Sequence, residues 1–135
     1  MIVRLSAALL TLSFFATPLA AQHMVDAAQA QNSFGICKAC HRIGENAKNA
    51  VGPELNGIIG RPAGSIEGFK YSDAMTSKAA EGLVWDEASL FEYLKDPSAF
   101  IGGKSKMTLK VSDETKRHDI IAYLKQFNAE GEKAQ

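Results

Sequence analysis

Cys37-Lys38-Ala39-Cys40-His41 is the stretch on which the reading of this chain turns. Two cysteines separated by two residues and followed directly by a histidine make C-x-x-C-H, the attachment signature of a c-type haem. The spacing has a chemical reason. Two thiols about one helical turn apart reach the vinyl groups on adjacent pyrroles of one porphyrin and add across them as thioethers. The next residue is then held beneath the iron, where an imidazole nitrogen serves as proximal ligand. Other uses of these residues fit less well. A thioredoxin-like dithiol expects a βαβ surround, and no strand pattern is present. A zinc site needs further ligands, for which His23 and His118 are the remaining imidazoles. A disulfide between Cys37 and Cys40 closes a loop too short to stabilise much.

Outward from the motif, Ala27 to Cys40 reads as a helix carrying Phe34 and Ile36 towards its end. From Arg42 to Gly68 the chain holds Gly44, Gly52, Gly57, Gly60, Gly64 and Gly68 with Pro53 and Pro62, so no useful helix survives there. Period-two alternation is also lacking, so no sheet is expected. A long irregular segment in a small domain is usually functional or wrapped around something. Helical pattern returns at Tyr71 to Ala80, with Ser72 as N-cap. Asp86 opens a further helix through Lys95, with Leu90, Tyr93 and Leu94 on one face and Pro97 as its stop. Phe100 to Lys110 reads as a second loop. Ser112 caps the last helix, whose apolar stripe is Ile120, Ile121, Leu124 and Phe127, and Glu130 to Gln135 reads as frayed. The expected architecture is all-α, with about four short helices and long loops wrapped around one covalently bound haem.

The chain has 135 residues, 46% hydrophobic and 22% charged, which fits one globular domain. Fifteen basic residues balance fifteen acidic ones, so the basic field that drives nucleic-acid binding is absent. Met1 to Ala21 has the form of a secretory signal peptide: Arg4, an apolar run from Leu5 to Phe15, Pro18, then Leu19-Ala20-Ala21 before the cut. The apolar run is short for an uncleaved anchor. Residues 22–135 would then be a single domain exported to the periplasm, an oxidising compartment.

The sixth iron ligand separates a catalyst from a carrier. Met24, Met75, Met107, His23 and His118 are the candidates. Met107 fits best, because the loop Gly102-Gly103-Lys104-Ser105-Lys106-Met107 can carry a thioether over the far face of the haem. Met/His ligation raises the reduction potential. Met75 reads as packing within a helix, and His118 as a solvated or surface-paired residue.

With these elements in order, the sequence resembles the class I cytochromes c, in their small, soluble, mitochondrial-like bacterial branch. The resemblance spans Ala27 to Asn128. It is carried by Cys37-Lys38-Ala39-Cys40-His41, Val51-Gly52-Pro53-Glu54-Leu55, Gly60-Arg61, Gly68-Phe69-Lys70-Tyr71-Ser72-Asp73-Ala74, Leu83-Val84-Trp85, Tyr93-Leu94-Lys95-Asp96-Pro97, Ser105-Lys106-Met107 and Ile121-Ala122-Tyr123-Leu124. It implies the cytochrome c fold, with His41 and Met107 as the iron ligands and Cys37 and Cys40 as the attachment points. It implies that the Pro53 carbonyl accepts from the His41 ring. Tyr93 would point its hydroxyl near the Met107 sulfur, and Arg61, Tyr71 and Trp85 would surround an inner haem propionate. The first and last helices would cross near Phe34 and Leu124.

Three departures from the family pattern stand out. Gln29-Ala30-Gln31 replaces a glycine-bearing turn, so a wider helix crossing is expected. Ile101-Gly102-Gly103 lacks the usual proline, and the run from Pro97 to Met107 is one residue longer than in the shortest members. Ile36, Ser98 and Ala99 stand where lysines are often found. Lys38, Lys70, Lys95, Lys104, Lys106 and Lys110 could still frame the haem edge and steer an acidic redox partner, a reductase and an oxidase or dehydrogenase. The expected function is a monomeric, diffusible one-electron carrier with no small-molecule substrate. A haem enzyme or small-ligand sensor is the rival, disfavoured by the single motif and the lack of an evident distal base.

Overall fold

A computed structural model describes residues 25–134. The signal-peptide assignment, His23 and Met24 lie outside the described residues. Five α-helices and one 3-10 turn follow in order, and among the described residues β-structure is limited to two isolated bridges. Helix α1 (Ala27–Phe34) starts at Asp26, whose carboxylate accepts from the amides of Ala28 and Gln29. It stops earlier than the sequence pattern suggests. Gly35–Ala39 winds into a 3-10 turn, in which the Cys37 carbonyl accepts from both the Cys40 and the His41 amides. That tighter coil carries the attachment motif, so the cysteines sit in a turn rather than on an α-helix.

Helices α2 (Asp73–Ala80), capped by Ser72, and α3 (Glu87–Lys95), capped by Asp86 in a reciprocal box with Ser89, match their sequence signals. Pro97 does more than stop α3. It is the first residue of a short helix α4 (Pro97–Ile101), where its missing amide is no loss. Asp96 ends α3 and caps α4, so the expected loop begins after Ile101 rather than at Phe100. In α5 (Glu114–Leu124) the cap is Asp113, not Ser112, because it is the Asp113 carboxylate that meets the Lys116 amide.

Helices α1 and α5 pack against each other and define the core. Phe34 is wholly buried and stacks on Tyr123 with ring centroids 4.6 Å apart. Ala30, one turn earlier, is 1% exposed, so the residue replacing a family glycine still lies in the crossing. Ser33 donates to the buried Asp119 carboxylate at 2.9 Å across the same interface. Arg117 is also buried, and its guanidinium lies over the Phe91 ring and donates to the carbonyls of Val111 and Ser112. His118 is exposed, as the sequence reading expects, although its neighbours Arg117 and Asp119 are buried.

Residues 130–134 are ordered rather than frayed. Asn128 binds Glu132 through backbone and side chain, and the Ala134 amide donates to Gln126 at 2.7 Å. Gly131 has φ +82°, and a Cβ there would run into the Gly44 carbonyl and the Asn56 amide. Glycine is therefore the residue that lets this turn seat on the loop after His41.

Candidate haem site

The site is built from the 3-10 turn outward. Cys37 is buried and Cys40 half-buried, and neither is in a disulfide. Burial pushes the Cys37 thiol up to about 11, the reverse of the acidic thiolate a dithiol oxidoreductase uses. An apolar, protonated thiol suits a position facing a porphyrin. Next along the chain, the His41 Nδ1–H donates to the Pro53 carbonyl at 2.8 Å. That bond fixes the tautomer and leaves the Nε2 lone pair for a metal. Burial holds the imidazole below its usual value, against the pull of the Pro53 carbonyl, which keeps the ring neutral. Gly52 lies directly against the ring, where any Cβ would overlap Cε1, Nδ1 and Nε2. The Gly52 amide donates to Cys40 at 2.8 Å and pins this loop to the motif. One buried and one half-buried thiol, a neutral oriented imidazole and a backbone shaved to fit it make a donor set that suits a covalent haem.

Arg61 and Trp85 are brought together by backbone. The Trp85 amide donates to the Arg61 carbonyl at 2.9 Å, and the Gly60 amide donates to the Trp85 carbonyl at 2.6 Å, beside the Pro62–Val84 bridge. The Arg61 guanidinium turns to the 54–56 loop. It donates to the carbonyls of Glu54 and Asn56, each at 2.9 Å, and pairs with the Glu54 carboxylate at 3.4 Å. The Tyr71 hydroxyl accepts from the Ile66 amide at 3.2 Å. Arg61 and Tyr71 thus each tie down part of the irregular segment. Trp85 is buried, with Tyr93 at 4.9 Å and Phe100 at 6.1 Å between ring centroids.

Met107 is half-buried against the core. The Tyr93 hydroxyl reaches its loop at Ser105 Oγ, 3.5 Å away, and the Met107 amide donates to that same oxygen at 3.1 Å. Burial raises the Tyr93 pKa above the usual phenol range, so the hydroxyl keeps its proton at neutral pH. Met75 is buried core and His118 lies exposed beside Phe91. Glu54, Asn56 and Ser105 were missed as site residues, because common polar residues in a loop give no periodic or spacing signal.

A helical shell around a C-x-x-C-H turn with a prepared imidazole defines a protein with covalently attached haem. No protein-family model matches the chain. Known proteins do. Cytochrome c2 of Blastochloris viridis is 48% identical over 125 residues, covering 93% of this chain and 94% of that protein. Cytochrome c-550 of Ancylobacter novellus is 49% identical over 106 residues, covering 78% and 99%. The solved structure of cytochrome c2 from Rhodospirillum centenum superposes with a TM-score of 0.73 at 41% identity, covering 76% of this chain and 98% of that one. The chain belongs to the class I cytochromes c. It carries one c-type haem and is an electron carrier, not an enzyme, working with redox partner proteins.

Proposed function

We propose that the chain is a periplasmic, monomeric shuttle whose iron is held by His41 and Met107. When bound, the haem supplies an iron that gains and gives up a single electron. Cys37 and Cys40 anchor it through thioethers. The Pro53 carbonyl orients His41 and raises its basicity. Arg61, Tyr71 and Trp85 would serve an inner propionate, with Arg61 lending positive charge through a guanidinium stiffened by Glu54. Tyr93 serves the Met107 side. Export rests on Met1 to Ala21.

Docking falls to exposed lysines. Lys38, Lys70, Lys95 and Lys104 form no ion pair among the described residues, while Lys110 is paired with Asp96 and Lys106 donates to the Lys70 carbonyl. The four unpaired cations would meet an acidic reductase on one side of the cycle and an oxidase or dehydrogenase on the other. The observation that carries the reading is the His41–Pro53 bond, which prepares one axial nitrogen.

The test is Met107→Ala. The weak Met–iron band should vanish, and the potential should fall by about 0.1 V or more, since the axial ligand is a main lever on it. An unchanged band and potential would remove Met107 from the ligand set.

A further inference from the structure

We propose that Ser98 is a positioning residue for Met107, acting through Ser105. This rests on the reading of Met107 as the iron ligand. Ser98 lies in the first turn of α4, where a lysine is often found in relatives by the resemblance above. Its Oγ accepts from the Ser105 amide at 3.1 Å, and its carbonyl accepts from the Gly103 amide at 3.1 Å. Both bonds close the lengthened loop back onto α4. A lysine side chain has no acceptor and could not make the first of them.

Ser105 is 7% exposed, so its amide has little recourse to water if the Ser98 oxygen is removed. Its own hydroxyl sits at a junction. It accepts from the Met107 amide, which sets the backbone direction just where the thioether departs. A second lone pair and the hydroxyl proton remain, so the same oxygen also meets the Tyr93 hydroxyl, 3.5 Å away, as donor or acceptor. One hydroxyl on α4 thus fixes the place of a second, which governs both the methionine backbone and the phenol.

The experiment compares holoprotein carrying Ser98→Ala, Ser98→Thr and Ser105→Ala with the parent. Three quantities are read: the Met–iron band, the midpoint potential, and the rate at which imidazole enters the ferric form, which requires Met107 to swing away. Ser98→Ala should admit imidazole roughly five- to tenfold faster, the scale of one lost hydrogen bond to a buried donor. Ser98→Thr, which keeps the hydroxyl, should restore the parent rate, and Ser105→Ala should exceed Ser98→Ala and also move the potential. A merely structural role would lower melting temperature while leaving imidazole entry and potential alone, and that result overturns the inference. A parent protein without a Met–iron band would instead overturn the Met107 assignment and this inference with it. A normal parent band with an unchanged Ser98→Ala rate overturns this inference alone.

Discussion

At the scale of single residues, the motif was the most legible part of the chain, because C-x-x-C-H encodes a chemical requirement in adjacent positions. Pro53 was legible only through the family resemblance, and the structure gives its carbonyl a physical task at His41. Gly52 shows what spacing does not reveal: a glycine among many in the loop is the one that touches the imidazole. Gly52→Ala should displace the ring from the Pro53 carbonyl. The expected result is a lower yield of haem-loaded protein and a melting temperature several degrees down, read by absorbance and calorimetry. The cost lies in backbone moved by a methyl group in a packed site, typically about 1–3 kcal/mol. Ser105 and Asn56 were illegible, since their value comes from partners at 12 residues' separation.

At the scale of elements, caps were read well where a carboxylate or hydroxyl preceded an apolar face, as at Ser72 and Asp86. Pro97 reads as a terminator in sequence, yet a proline is as good a first residue as it is a stop. Asp96 accepts from the Ala99 amide and from Lys110, and these bonds hold its carboxyl below the usual aspartate range, the Lys110 bond foremost. A depressed folded-state pKa gives stability that is present above the unfolded value and lost as pH falls through the folded one. Asp96→Ala should therefore be less stable than the parent at neutral pH. The gap should close on acidification below the ordinary value of 3.8. Denaturant titrations at a series of pH values would check it.

At the scale of the whole molecule, the arrangement of helices around a loop-lined centre was legible, since glycine and proline in 42–68 left the loop nothing regular to form. The order of the tail was not, because a Gly-Glu-Lys-rich end looks solvent-bound until its partner loop is placed beside it. Charge is a molecular property too. With balanced totals, any steering must come from the unpaired lysines and fade within a Debye length of about 8 Å at physiological salt. Oxidation of the ferrous protein by ferricyanide should be several-fold slower at low ionic strength in a Lys70→Glu, Lys104→Glu double variant. The two rates should converge at high salt in stopped-flow measurements.

The seating of Gly131 on Gly44 and Asn56, together with the α1–α5 crossing, ties the beginning of the described chain to its end. A chain emerging N-terminus first offers its two sulfurs long before residues 114–134 arrive to shut the shell. Helix α1 and the turn that follows it therefore lack their packing partner until the last-made segment is in place.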